Sequence, residues 1–226
     1  DLWQEYLKED HKIVKFVPAS GAASRMFKDL FAYAEDGVET PFITTFLENL
    51  DRFAFATELK QLVLTKDANG LSNGQLIVKT LLEDMKYGSL PKGLLLFHSY
   101  KDGARTPVLE HLVEGALYAA SNQMVRLHFT VSHEHLPFFR KHVGDFLQLY
   151  EHKYGVRYDI SFSEQKKSTD TIAANPDGTP FRQANGALLF RPGGHGALIE
   201  NLSDIDADIV FVKNIDNVVP DSLKKD

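Results

Sequence analysis

Hydrophobic and polar positions along the chain follow two different periods. Residues 13–18 (Ile-Val-Lys-Phe-Val-Pro) form a short β-branched and aromatic run, which predicts a buried strand. The run stops at the small residues Ala19-Ser20-Gly21-Ala22-Ala23-Ser24. From Arg25 to Ala34 the apolar positions Met26, Phe27, Leu30, Phe31 and Ala34 recur at helical spacing. Strand, small-residue loop and helix in that order make the first unit of a nucleotide-binding α/β fold.

From about residue 36 to residue 90 the spacing stays helical. Phe46, Leu50 and Phe53 recur in one stretch, Leu59, Leu62 and Val63 in the next, and Leu76, Ile77, Leu81, Leu82 and Met85 in a third. Asp67-Ala68-Asn69-Gly70 marks a loop among them. This predicts a mostly helical insertion.

The α/β pattern resumes at Pro91, with the short apolar run Leu94 to Phe97 and a turn at Lys101-Asp102-Gly103. Thr106 and Pro107 predict a capped helix start, running to about Ala120. A strand is expected over Val125 to Val131, an amphipathic helix from Phe138 to Tyr154 ending near Gly155, and a strand over Val156 to Phe162. Asn175-Pro176-Asp177-Gly178 predicts a turn between short strands. Ala187 to Phe190 reads as a further strand, and Arg191-Pro192-Gly193-Gly194-His195-Gly196 as a second glycine loop before a short helix. Ile209 to Val212 reads as a buried strand ending in Lys213-Asn214-Ile215-Asp216-Asn217. Strands alternating with helices predict a largely parallel sheet with helices on both faces. The expectation is one α/β domain over residues 1–226, interrupted by the helical insertion at about 36–90.

Composition narrows the function. Hydrophobic residues make up 43% of the 226, ample for a packed core. The net charge is −6 and no basic stripe is present, so a nucleic-acid partner is not expected, while an anionic small ligand fits. The chain has no cysteine, which excludes disulfides, thiol catalysis and cysteine-ligated metals. No apolar run nears the ~18 residues of a membrane span, and no signal peptide is visible, so a cytoplasmic location is expected. The start at Asp1 rather than Met leads us to expect a piece of a longer chain.

Four constellations could carry chemistry. The loop from Pro18 to Arg25 could bring backbone N–H groups and the positive end of a helix to an anion, with Arg25 adding a bidentate contact; it could equally be a tight strand-to-helix turn. Lys92, held between Pro91 and Gly93, could point at a phosphate or be a surface turn lysine. The Arg191–Gly196 loop could let a flat ligand lie on bare backbone, or be an ordinary turn. Asp216 follows a strand, where ligands sit in open α/β sheets, and suits Mg²⁺, though an isolated Asp is more often a cap. His133-Glu134-His135 lacks the spacing of a metal-binding helix, and Ser20 and Ser24 lie in no Gly-x-Ser-x-Gly elbow.

The order of these pieces carries a resemblance. Val17 to Met26 resembles the Leu-Ala-Gly-Gly-x-Gly-Thr-Arg-Leu signature of sugar nucleotidyltransferases, and Pro91-Lys92-Gly93 resembles the Pro-Lys that completes it. Thr106 to His111 looks like the helix start that follows there. Phe162 to Gln165, the turn at 175–178, the Arg191 to Leu198 loop and Asn214 to Asn217 are similar to the Phe-x-Gln strand end, hairpin, Pro-x-Gly-x-Gly loop and Val-Asp-Asn of the UDP-sugar pyrophosphorylases. The chain is identified as a member of an uncharacterised bacterial family, domain of unknown function 4301, related to the UDP-N-acetylglucosamine and UDP-glucose pyrophosphorylases. Departures are Ser20 where a glycine stands in the signature, Ala22 and Ala23 after Gly21 where it carries another glycine, His195 where Asn is frequent, and the long insertion before Lys92.

The resemblance implies a Rossmann-like, three-layer α/β/α nucleotide-diphospho-sugar transferase (GT-A-like) fold with a mixed, mostly parallel sheet. It implies that Ala19, Ser20, Gly21, Ala22 and Ala23 line the nucleotide, that Arg25 grips the triphosphate tail and that Lys92 neutralises the phosphates. Gln165, Gly193, Gly194 and His195 would face the base, which implies UTP, and Asp216 would hold Mg²⁺. The implied reaction joins a nucleoside triphosphate to a sugar 1-phosphate and releases pyrophosphate. The alternative is a module that holds a nucleotide or nucleotide sugar without turnover. A glycosyltransferase ranks last, because Asp204-Ile205-Asp206 precedes its strand rather than following it.

Overall fold

The computed structural model describes every residue except 1, 7, 10, 22, 24, 25, 69, 225 and 226, and all side chains but those and residues 4 and 195. Helix α1 (Leu2–Tyr6) and strand β1 (Ile13–Pro18) come first, then helices α2 (Lys28–Asp36), α3 (Pro41–Glu48), α4 (Ala56–Val63) and α5 (Asn73–Lys79). A hairpin, β2 (His98–Tyr100) and β3 (Gly103–Arg105), precedes α6 (Pro107–Tyr118), β4 (Ala120–Ser121), β5 (Met124–Val131), α7 (Leu136–Tyr154) and β6 (Arg157–Glu164). The last elements are β7 (Thr171–Ile172), β8 (Phe190–Arg191), α8 (Ile199–Ser203) and β9 (Ile209–Val212).

Local chemistry sets several boundaries. The Thr106 hydroxyl accepts from Leu109 N–H with Pro107 in the first turn, so α6 starts where the sequence predicts. Ser72 and Gln75 form a reciprocal capping box that starts α5. Gly155, at φ 64°, closes α7 in the left-handed conformation.

The chain is a mixed α/β protein. Strands β6, β5, β1 and β9 lie side by side and parallel, and short β4 adds an antiparallel pair to β5. The pairing puts Lys15 beside Leu127 and Ile160, and Val17 beside Phe129 and Phe162, so alternate residues share one face. That face packs on α6 through Val108, Leu109, Leu112 and Val113 and on α7 through Phe139, Val143 and Tyr150. The opposite face carries Phe16, His128, Thr130, Ser161 and Ser163. The helix tied to it is α8, whose Asn201 donates to Ser163 Oγ and to the Glu164 carbonyl. The sheet is therefore covered unequally, with both long helices on one side.

A second core lies apart from the sheet. Phe27, Leu30 and Tyr33 of the α2 region pack against Ile43 and Phe46 of α3, Leu59 of α4 and Val78 of α5. Among the described residues, no strand residue joins this cluster. Helix α2 thus belongs to the helical body rather than returning to the sheet as the first unit of a nucleotide fold does. Helices this short are marginal alone, and their apolar stripes bury best against one another.

Four expectations change in detail. Helix α2 begins at Lys28 rather than Arg25, and Met26 is exposed rather than on the apolar side. Helix α6 stops at Tyr118, because Ala120 already pairs with β5. Of the strand expected over Ala187 to Phe190, only β8 forms at its end. Strand β9 is not buried: among the described strands it is the sheet edge, bonded to β1, and Val212 is 55% exposed.

Candidate functional site

Parallel strands end their backbone bonding together, so the loops that follow them converge. At the carboxyl end of β1, the Ala19 N–H donates to the Thr130 carbonyl and the Ile215 N–H to the Pro18 carbonyl. The segment after β1 is thereby tied to β5, and the segment after β9 to β1. After β6, the Gln165 side chain is held twice: its Oε1 accepts from Ser20 Oγ at 3.3 Å, and its Nε2 donates to the Gly193 carbonyl at 3.1 Å. A carbonyl can only accept, so this bond fixes which way the amide faces. Ser20, Gln165 and Gly193, far apart in sequence, meet in one chain of hydrogen bonds.

Lys92 and Asp216 form a second pair, with Nζ and Oδ2 2.6 Å apart. Their side chains are 27% and 38% exposed, so solvent and solutes reach both. The packing around Gly93 creates this pair. A Cβ at Gly93 would stand 2.9 Å from the Phe139 ring and 3.0 Å from Ile215 Cγ1. Only a bare backbone fits between α7 and the segment after β9, and that fit sets Lys92 against Asp216.

The other sequence-derived positions divide. Gly21 and Gly194 are open, with nothing within 4 Å of a Cβ built on either. Gly193 is not: its Cβ would lie 2.7 Å from the Thr169 carbonyl oxygen, so packing within the protein already requires this glycine. The Ala19 side chain sits in the sheet core and the Ala23 side chain in the helical core. Arg25 and Ala22 lie outside the described residues, as does the His195 side chain.

A family model for a domain of unknown function, DUF4301, matches residues 1–226. The chain belongs to this family. No curated protein and no solved structure matches it.

In this DUF4301 chain, the charged groups behind the site were not foreseen as a network. Lys15, in the middle of β1, is wholly buried and meets Glu114 of α6 at 2.7 Å. Glu114 also takes Lys213 at 2.8 Å and Tyr118 Oη at 3.4 Å. Burial outweighs the attraction of Glu114 and brings the Lys15 ammonium down to about 8. Burial alone would push the Glu114 carboxyl up, but Lys15 and Lys213 hold it below the usual range. One turn earlier, buried Glu110 meets Lys224 at 2.5 Å, Tyr100 Oη at 2.6 Å and His98 Nδ1 at 3.0 Å. Arg105 and Asp221 join this group through a 2.7 Å pair. A lysine breaking an apolar strand and two carboxylates four apart on an apolar helix were the sequence signal for these nodes.

His111, between those carboxylates on α6, is fully buried and stands 3.2 Å from the carbonyls of both Asn214 and Ile215 through Nε2. Burial first, then the charges of Lys15 and Lys213, hold this ring well below the ordinary histidine range, so it is neutral.

Two other groups resolve as structural pairs. His133 bonds Glu164, whereas His135 bonds Ser132 and the Ser89 carbonyl, so the two rings face different partners. Asp204 and Asp206 pair with Lys166 and Lys12 respectively. Among the described residues, no three His, Cys, Asp or Glu side chains gather to hold a metal, and no helix is long and apolar enough to cross a membrane.

Proposed function

We propose that this DUF4301 chain is a sugar nucleotidyltransferase of the UDP-sugar pyrophosphorylase kind, with a Rossmann-like, GT-A-like arrangement of its sheet. The observation that carries this reading is the meeting of Ser20, Gln165 and Gly193, and of Lys92 with Asp216, at the carboxyl end of one parallel sheet. Such an end is the usual ligand position in open α/β sheets.

The polar inventory suits a uridine nucleotide. After its bonds to Ser20 and Gly193, the Gln165 amide keeps one N–H and one carbonyl lone pair. That donor–acceptor pair matches the O4 and N3–H of uracil. Lys92 supplies a positive charge for the phosphates. Asp216 is a hard oxygen donor open to solvent, and Mg²⁺ is commonly held by one or two carboxylates with water and phosphate oxygens completing its shell. The residues present therefore fit Mg²⁺ as a single-carboxylate site, and the ion would supply charge neutralisation. In the reaction, an oxygen of the sugar 1-phosphate forms a bond to the α-phosphorus in line, and the bond to the departing pyrophosphate breaks. The protein's part is to place the reactants and offset charge.

The Lys92–Asp216 pair also favours a second reading, a module that binds nucleotide or nucleotide sugar without turnover, since the two charges already neutralise each other. Thermal unfolding against UTP, other nucleoside triphosphates and UDP-sugars, with and without Mg²⁺, separates the two when combined with a pyrophosphate-release assay. Ligand at 100 times its Kd stabilises by about 2.7 kcal/mol, or roughly 5–10 °C for a chain of this size. A uridine-selective, Mg²⁺-dependent shift weakened by Lys92→Ala, with pyrophosphate released, is the expected result. A shift without turnover favours the binding module. No shift with any nucleotide sinks both.

A further inference from the structure

Strand β9 is the sheet edge, bonded on one side only, yet the segment after it must hold Asp216 in place. On one side of that segment, the Lys213 and Ile215 N–H groups donate to the Phe16 and Pro18 carbonyls of β1. On the other side, the Asn214 and Ile215 carbonyls both face His111 Nε2 at 3.2 Å. Because carbonyls only accept, the ring proton sits on Nε2 and is shared between them. Among the described residues, buried Nδ1 finds no hydrogen-bond partner and stands 3.9 Å from Glu114 Oε2. Glu114 does not draw the proton to Nδ1, since Lys15 and Lys213 already neutralise it. An aliphatic side chain would leave no bare Nδ1 in the core, but it would take the donor away from both carbonyls. The polar ring has one evident job, which is to grip two consecutive carbonyls of the segment.

We propose that His111 is a positioning residue for Asp216: from the core helix α6 it fixes the turn that presents the Asp216 carboxylate beside Lys92. The proposal rests on the nucleotide and divalent-cation reading above for what Asp216 does, and on the geometry alone for how Asp216 is held.

His111→Leu removes the donor, and His111→Gln restores an N–H near the Nε2 position. With UTP present, Mn²⁺ affinity followed by electron paramagnetic resonance should fall roughly tenfold or more in the Leu variant, while UTP affinity without metal stays within about twofold. The Gln variant should recover most of the loss. Should the Leu variant not fold, His111→Asn, whose amide reaches only the Nδ1 position, takes its place. A Leu variant with a lower melting point but unchanged Mn²⁺ affinity overturns the proposal, as does a Gln variant no better than Leu. If the wild-type chain binds neither Mn²⁺ nor UTP, the nucleotide reading fails and hydrogen exchange decides the positioning. Faster exchange at the Lys213 and Ile215 amides in the Leu variant, with β5 and β6 still protected and Gln repairing it, upholds the proposal. Unchanged exchange there overturns it.

Discussion

Gly93→Ala isolates the contact that brings Lys92 to Asp216. The added methyl would lie 2.9 Å from the Phe139 ring and 3.0 Å from Ile215 Cγ1, closer than carbon atoms sit without displacement. Neither neighbour can swing away into solvent: Phe139 is fully buried against α6 and the sheet, and Ile215 is 4% exposed and bonded to β1 through its N–H. Forcing one extra carbon into such packing costs about 1–3 kcal/mol. Alanine also restricts the unfolded chain, which offsets roughly 0.4–1 kcal/mol. The net loss of about 1–2 kcal/mol corresponds to a drop of roughly 2–8 °C in melting temperature for a chain of this length. The methyl also pushes the Lys92 turn away from Ile215 and Asp216, so UTP affinity should fall along with stability. Gly144→Ala is the matched control. Gly144 lies inside α7 with nothing within 4 Å of its Cβ position, so alanine there should add about 0.5–1 kcal/mol from helix propensity alone. Urea unfolding of the three proteins reads both effects. Equal midpoints for Gly93→Ala and wild type would refute the packing account of how the site is assembled.

The buried charges give two more expectations. Lys15 falls to about 8 in the folded chain from an ordinary 10.5, so between those values the unfolded chain holds more protons and stability should rise with pH, by at most about 1.4 kcal/mol per unit. Urea midpoints measured from pH 8 to 9.5 should show the rise and Lys15→Met should flatten it; a wild-type midpoint that falls over this range would count against it. Glu114→Gln leaves Lys15 without its carboxylate and should cost on the order of 3 kcal/mol at pH 7, less at pH 9.5 where the lysine sheds its proton. An equal loss at both pH values would show that the ion pair is not its cause.

Much of the local structure was legible in the sequence. Apolar run, Thr-Pro start and glycine stop located β1, α6 and α7 to within a few residues, because strand and helix periods and caps are local properties. The residues proposed for the site were legible as types too: Lys92, Gln165, Gly193 and Asp216 were named from spacing and resemblance. Their pairing was not, since no local rule states that Gln165 spans Ser20 and the Gly193 carbonyl, or that Gly93 is bare to admit Phe139 and Ile215.

Tertiary structure alone decided the rest. It assigned α2 to the helical body, because an apolar stripe specifies that a helix is buried but not against which partner. It made β9 an edge strand, because a short apolar run reads alike at the centre and the edge of a sheet. It also turned Lys15, Glu114 and His111, scattered as polar interruptions of apolar segments, into one network behind Asp216. The sequence by itself determined which segments are strands and helices, since periodicity and caps act between near neighbours. Burial and charge pairing join residues a hundred positions apart, and only the folded chain brings them within bonding distance.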